Sequence, residues 1–364
     1  MVGRAVEVLD TPSLVVDLDA FEANLRLCAE RLAGRVALRP HLKTAKSPAV
    51  AQRLLACGAH GICVAKLGEA EVMLEAGVPD VLVTTELVGA AKVARFARLA
   101  RSFGGQRLSS VVDSAEGAQA LDAALGDAGC DPVDVLIDVN VGQDRCGVEP
   151  GDAAALADRL RPLERLRLAG VQGYEGHLQH VRDPAERRRL CDEAMERLGA
   201  AVRDLRAHGH AVGVVTTGGT GTAEICAGHE AVTEVQPGSF AFMDADYLAT
   251  GGLDYVSSLT VLATVVSRPA ADRAIVDAGL KSLSDDSGPA VLLGVAGWTY
   301  RHAGDEHGVL RADASGAAGL RIGDRVSLLP SHVDTTVNLH DLMYAQRGGT
   351  IEEVWPIAAR GRVR

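Results

Sequence analysis

Chemistry in this chain concentrates in a few short stretches that set a nucleophile or an acid–base group among glycines and polar residues. The first is RPHLKTAK, which holds His41, Lys43 and Lys46. A lysine flanked by apolar and basic groups loses its proton readily enough to attack an aldehyde, so Lys43 is a candidate for covalent attachment of a carbonyl compound. Lys46, further into the loop, reads as a surface ammonium or an electrostatic assistant. The second stretch, VGQDRCG, offers Gln143, Asp144 and Arg145, and the third, GYEGHLQH, offers Tyr174, His177 and His180. Imidazoles change charge near neutral pH, which suits them to move protons. The fourth, TTGGTGT over Thr216–Thr222, suits phosphate: glycines let backbone N–H groups approach an anion closely, and hydroxyls add donors. PGSF, Pro237–Phe240, has the same character. Near the C-terminus, LLPSHVDTTVNLHD separates His332 from Asp334 by one residue. On a strand, residues i and i+2 share a face, so imidazole and carboxylate would share one cation. Two ligands are half a site, and a structural histidine beside a turn-forming aspartate is the plainer alternative.

These groups need elements to aim them. From about residue 20 to 240, short β-branched runs alternate with Ala/Leu/Arg/Glu-rich stretches of helical period. Eight strands are expected: Val36–Arg39, Gly61–Ala65, Val81–Thr84, Ser110–Asp113, Val133–Val139, Leu168–Gly173, Gly213–Thr217 and Thr233–Gln236. Helices are expected between them, from Pro48–Cys57 to Pro184–His208, with a short turn at Ala223–His229. Eight βα units favour a closed parallel barrel over an open sheet. Active sites of such barrels form at the carboxyl ends of the strands, with phosphate commonly bound after strands seven and eight. All of the polar stretches named above except the His332 region fall at those ends. After Tyr247 the runs Ser257–Ser267, Arg273–Asp277, Ala290–Ala296 and Arg325–Leu329 are β-like and broken by Gly, Asp and Pro, which reads as a mostly antiparallel domain. The expected fold is therefore α/β: a (β/α)8 barrel of the TIM type over residues 20–250, then a β domain over 251–364 that carries the His332/Asp334 pair. The strand DTPSLVVDLD, within residues 1–19, joins either one.

Bulk composition removes whole classes of function. A net charge of −11 argues against a general nucleic-acid binder, because phosphate backbones need a basic surface. The run Arg187, Arg188, Arg189 lies among acidic residues at helical spacing and reads as a solvated helix face. Seven cysteines without any Cys-x-x-Cys read as small buried hydrophobes in a reducing compartment. No continuous apolar segment suggests a signal peptide or membrane span, so a cytoplasmic protein acting on a small molecule is expected.

The motifs DTPSLVVDLDA, RPHLKTAK, VGQDRCG, GYEGHLQH, GGTGT, QPGSFAFMDADY, DAGLKSLSDD, EHG (Glu306–Gly308) and PSHVDTTVNLHD run in order over nearly the whole chain. In this combination the chain resembles the D-threonine aldolase and D-serine dehydratase family, alanine-racemase-like pyridoxal-phosphate enzymes of fold type III, and it looks most like the aldolases. The resemblance implies that Lys43 carries pyridoxal 5'-phosphate, that Arg145 stands near the ring oxygen and Tyr174 lines the ring, and that Gly219, Thr220, Gly238 and Ser239 hold the phosphate. It implies that His332 and Asp334 bind a divalent metal. Dehydratase members tend to place Cys where Asp334 stands. A thiolate favours zinc, whereas carboxylate with imidazole accepts Mn²⁺ first, with Mg²⁺, Ca²⁺ or Zn²⁺ as alternatives. The implied reaction is cleavage of a D-β-hydroxy-α-amino acid to glycine and an aldehyde, with His180 the first candidate to take the hydroxyl proton and His177 the second. A homodimer is implied as well. The rival readings are a D-serine or 3-hydroxyaspartate dehydratase giving a 2-oxo acid and ammonia, an amino-acid racemase, which has no need of the metal pair, and a pyridoxal-phosphate carrier, which would lack the second domain. DAGLKSLSDD and EHG are expected to shape the cavity or a dimer contact, and Lys281 to make a structural ion pair.

Overall fold

The structure, a computed structural model, describes residues 1–313 and 319–364. Its first strand, β1 (Ser13–Asp17), is followed by eight strands of one parallel sheet: β2 (Ala37–Leu38), β3 (Ile62–Val64), β4 (Asp80–Val83), β5 (Arg107–Val112), β6 (Val133–Asp138), β7 (Leu166–Gln172), β8 (Val214–Thr217) and β9 (Glu234–Val235). The order is β2-β9-β8-β7-β6-β5-β4-β3. The two ends meet, since Leu42 N–H donates to the Cys63 carbonyl at 2.8 Å and Cys63 N–H to the Pro40 carbonyl at 2.9 Å. The sheet is thus a closed barrel. Its strands are covered on both faces, as parallel strands must be: all of β3 and β4 is buried. Two of the helices between them start on side-chain caps. Ser114 accepts from Gly117 N–H before Ala115–Asp127, and Asp183 accepts from Glu186 N–H before the long Pro184–Ala207 helix, whose first residue is the proline that position favours. The last barrel helix is one turn, Ala223–Cys226.

Two compact units divide the chain. The barrel unit is Cys28–Lys43, Ala51–Gly238 and Arg362–Arg364, and the other is Met1–Leu27, Thr44–Val50 and Ser239–Gly361. The second unit is built on a nine-stranded sheet. To β1 it adds β10 (Leu259–Ala270), β11 (Arg273–Val276), β12 (Val291–Leu293), β13 (Trp298–His302), β14 (Gly308–Ala312), β15 (Arg325–Leu329), β16 (Leu342–Arg347) and β17 (Thr350–Pro356). All its pairings are antiparallel except β1 with β16. The DTPSLVVDLD strand is therefore interior to this sheet, between β10 and β16. Strands β13, β14, β16 and β17 were not among the expected runs. In β13, buried Trp298 and Tyr300 alternate with exposed Thr299 and Arg301, so polar residues break up the apolar run. β16 and β17 are joined at Gly348 and Gly349, both at positive φ, the Gly-Gly signal of a tight hairpin. No helix among the described residues is long and apolar enough to cross a membrane.

A ladder of alternating charge runs around the barrel. Glu234 accepts from Arg39 Nε at 3.0 Å, Arg39 Nη1 donates to Asp80 at 2.6 Å, Arg107 stands 3.6 Å from Asp80 and donates to Asp134 at 2.5 Å, and Arg167 donates to Asp134 at 2.5 Å. Strand register produces this, because Asp80 is paired with Arg107 and Asp134 with Arg167 on adjacent strands. Burial pushes the Glu234 carboxyl up, but the hydrogen bond from His60 and the Arg39 charge outweigh it and hold the group below the usual carboxylate range. Arg39, Asp80 and Glu234 are all buried, so removing the arginine strands two anions. Arg39→Ala is predicted to cost about 3–5 kcal/mol at neutral pH in urea unfolding. Glu234 has a depressed folded pKa, so the difference from wild type should shrink as the pH falls through the carboxylate range.

Candidate active site

Lys43 is the residue next to the hydrogen bonds that close the barrel. His41 N–H donates to the Pro237 carbonyl at 3.1 Å, and Leu42 is fixed to Cys63. The His41 ring is oriented on both sides: Nδ1 accepts the Lys43 backbone N–H at 3.3 Å, and Nε2 stands 3.0 Å from Thr84 Oγ1. Thr84 Oγ1 itself donates to the Val64 carbonyl, so the tautomer with its proton on Nε2 completes both ring contacts. The Lys43 ammonium faces the ring of Tyr174, just past β7, with Nζ 5.9 Å from the ring centroid. Arg145, from the loop after β6, lies 5.8 Å from the same centroid. Lys43 and Arg145 thus both approach the ring of Tyr174, within cation–π range. Lys46 departs from expectation. It is buried in the second unit at φ 52°, and its carbonyl accepts from Ala359 N–H at 3.0 Å.

The loop carrying Arg145 is organised by Asn140. Its amide donates to Asp144 Oδ1 at 2.9 Å and Glu149 Oε1 at 2.8 Å, while its oxygen accepts from Gly142 and Asp144 N–H. His177 lies against this loop, since a side chain added at Gly142 would meet His177 Nε2 at 3.6 Å. His177 and His180 are both exposed, on the turn that begins at Gly176–Leu178.

Beneath the Gly/Thr loop lies a carboxylate that the sequence did not single out. Glu175 is fully buried and accepts from Thr222 Oγ1 at 2.5 Å, Thr217 Oγ1 at 2.8 Å, Gln179 Nε2 at 3.2 Å and Gly218 N–H at 3.4 Å. Gln179 Oε1 accepts from Gly221 N–H at 2.9 Å, and a Cβ at Gly219 or Gly221 would collide with Gln179. The two threonine hydroxyls therefore brace the loop from below. Expected as donors to an anion, they are engaged with Glu175, and the glycines are required by close packing on Gln179. Thr220 forms the tip of the turn, Gly238 ends the barrel unit after β9, and Ser239 begins the Ser239–Ala241 turn of the second unit. Glu175 and Gln179 both lie in GYEGHLQH, so their four-residue spacing was visible while their role was not.

In the second unit, His332 and Asp334 flank the start of a one-turn helix, Val333–Val337, rather than alternating along a strand. Three acidic residues surround the imidazole. Asp286 Oδ2 holds Nδ1 at 2.6 Å and Asp334 lies two residues on. Asp244, which accepts from Val333 N–H at 3.0 Å and Tyr247 N–H at 2.9 Å, is close enough to act on both. Burial pulls the His332 pKa down, but the charge of Asp334 and the bond and charge of Asp286 reverse this and leave it above its ordinary value. Burial pushes Asp244 up to about 6, against the two backbone donors. An imidazole oriented through Nδ1 by a carboxylate, beside further carboxylates, is a donor set that fits a divalent cation. Asp286 ends DAGLKSLSDD and Asp244 lies in QPGSFAFMDADY, where spacing did not reveal their role. Lys281 pairs with Glu306 at 2.5 Å on the surface.

Replacing Glu175 by Ala leaves Thr217, Thr222 and Gln179 without their shared acceptor. A loss of about 2–4 kcal/mol in unfolding free energy is expected, with Glu175→Gln milder because one carbonyl oxygen still accepts. Chemical denaturation of the two variants side by side measures it.

Residues 16–246 match the family described as Alanine racemase, N-terminal domain, and residues 258–346 match the Putative serine dehydratase domain. The chain is 45% identical to a D-threonine aldolase from Arthrobacter sp, covering 99% of this chain and 95% of that protein. It is 34% identical to a D-threo-3-hydroxyaspartate dehydratase from Delftia sp. (strain HT23), covering 90% of this chain and 92% of that one. The crystal structure of a D-threonine aldolase from Filomicrobium marinum superposes with a TM-score of 0.96 at 41% identity, over 100% of this chain and 99% of that chain. The barrel with its antiparallel partner and the full-length likeness agree, and the chain belongs to the alanine-racemase-like family of pyridoxal-phosphate lyases that contains the D-threonine aldolases and D-serine dehydratases.

Proposed function

We propose that this enzyme cleaves D-configured β-hydroxy-α-amino acids of the D-threonine kind to glycine and an aldehyde, using pyridoxal 5'-phosphate and a divalent metal. The observation that carries the reading is the convergence of the Lys43 ammonium and the Arg145 guanidinium on the Tyr174 ring. A lysine beside an aromatic wall and a fixed cation suits an aldehyde cofactor with an ionised ring oxygen. Lys43 would hold the cofactor covalently, Tyr174 would line its ring, Arg145 would face the ring oxygen, and Gly219, Thr220, Gly238 and Ser239 would hold its phosphate. When bound, the cofactor supplies an electron sink for the pair left at Cα as the Cα–Cβ bond breaks. A metal ion at His332 and Asp334, Mn²⁺ first among the candidates, would lower the proton affinity of the substrate hydroxyl. His180, with His177 second, would accept the hydroxyl proton. Both imidazoles are exposed, as a group that exchanges protons with solvent must be.

Asp334 favours cleavage over dehydration, since the dehydratase members tend to carry Cys at this place. The seven free cysteines support a cytoplasmic location, and a homodimer completes the proposal.

Incubation of the purified enzyme with D- and L-β-hydroxy amino acids, with and without EDTA, should yield glycine and aldehyde from the D-substrates only, and EDTA should abolish turnover. A 2-oxo acid with ammonia would instead establish a dehydratase. Lys43→Ala protein purified with the vitamin should be colourless and inactive. His180→Ala should lose about 10²–10⁴-fold in kcat with little change in KM.

A further inference from the structure

We propose that Asp286 is a positioning residue for the metal site: it holds His332 in the tautomer and orientation that offer Nε2, and only Nε2, to a cation. The proposal rests on the metal role of His332 and Asp334 given above and adds a residue outside that pair. Asp286 Oδ2 lies 2.6 Å from His332 Nδ1. Its other oxygen, Oδ1, accepts from Ser284 Oγ at 2.7 Å and from Thr335 Oγ1 at 2.9 Å. With both oxygens engaged, the carboxylate has no freedom to turn away from the ring. A carboxylate only accepts, so the proton of a neutral imidazole sits on Nδ1 and the lone pair on Nε2 is left for a metal ion.

The segment that carries Asp286 is fastened on three sides within the second unit. Ser284 N–H donates to Thr336 Oγ1 at 3.2 Å, and the Ser284 carbonyl accepts from Ser331 Oγ at 3.5 Å, so residues before and after His332 both grip it. Two further histidines close on the same segment. His302 Nε2, at the end of β13, donates to the Leu283 carbonyl at 2.9 Å, and His340 Nε2 donates to the Ser282 carbonyl at 2.7 Å. A carbonyl oxygen only accepts, so both of these Nε2 atoms carry protons and neither is a ligand atom. The start of the segment lies against the turn that leads into EHG. Leu280 N–H donates to the Gly304 carbonyl at 3.2 Å and Lys281 N–H to the Asp305 carbonyl at 3.0 Å. A Cβ at Gly279 would come within 2.5 Å of the Asp305 oxygen and the His307 nitrogen, so only glycine lets the two backbones pass this closely. DAGLKSLSDD and EHG, which carried no chemistry of their own, thus form the frame behind the metal histidine.

Two measurements on the full-length, EDTA-treated protein test this. The first, nitrogen NMR of ¹⁵N-histidine protein without metal, does not depend on the proposed function. The His332 signals, identified by their loss in His332→Ala, should show the proton of the neutral ring on Nδ1 in wild type and lose that preference in Asp286→Ala. A wild-type proton on Nε2 overturns the proposal. The second is titration with Mn²⁺ alone, reading free ion by electron paramagnetic resonance and the waters on bound ion by proton relaxation. His332→Ala should abolish binding, and Asp286→Ala should weaken it about 10–100-fold with the number of bound waters unchanged. Asp286→Asn, whose amide oxygen still accepts from Nδ1–H, should recover most of the loss, which a general structural defect would not. Unchanged affinity in Asp286→Ala, an added water on its bound Mn²⁺, which would make Asp286 a ligand, or an Asn variant as weak as the Ala variant each overturns the proposal while leaving the metal reading in place. No Mn²⁺ binding by wild type removes both.

Discussion

Two hydrogen bonds between Pro40, Leu42 and Cys63 turn an eight-stranded sheet into a barrel, and the barrel residues of the candidate site take their geometry from that closure. A parallel sheet with free edges would leave the carboxyl ends of β2 and β3 without partners. Closing it puts the loops after β4, β6, β7 and β8 on the same rim as the loop after β2 that holds Lys43. The Lys43 backbone N–H is held by His41, whose ring orientation follows from Thr84, whose hydroxyl is committed to β3. Position is thus handed from strand pairing to side chain in short, directional steps.

Three buried carboxylates in this barrel show how surroundings decide what one functional group does. Glu234 faces Arg39 and His60 and is held ionised, which makes it a fastener. Glu175 faces hydroxyls, an amide and a backbone N–H, and shapes the Gly/Thr loop from below. Asp138 has the neutral amide of Gln172 as its donor, and burial pushes its carboxyl up to about 8 in spite of that bond. The chemistry of the acid is the same in each case, and donor supply sets the outcome.

Much of this was legible beforehand, because it depends on local pattern. Apolar runs such as Ile62–Val64 and Val133–Asp138 were recognisable as covered parallel strands, and the polar, glycine-rich stretches fell just beyond them. Lys43, Arg145 and Tyr174 could be named from their motifs. Where pattern was diluted, the reading fell short. β13 hides its two aromatics among polar residues, and His332 with Asp334 was placed on a strand although the chain there turns into a short helix. The histidine and aspartate are neighbours either way, since a one-residue separation keeps them close in any backbone.

Sequence alone determined the residue types, their order, and hence the barrel, the lysine and the family, because alternation and motif spacing are properties of the chain itself. Tertiary structure alone decided which groups serve which. Asp80 and Arg107 are paired by strand register across 27 residues of chain, Glu175 meets Thr217 and Thr222 across more than 40, and Asp286 reaches His332 from 46 residues away. Such partnerships carry no periodic signal. A buried polar group takes whatever donor the fold brings within hydrogen-bond reach, and only the folded chain specifies that distance.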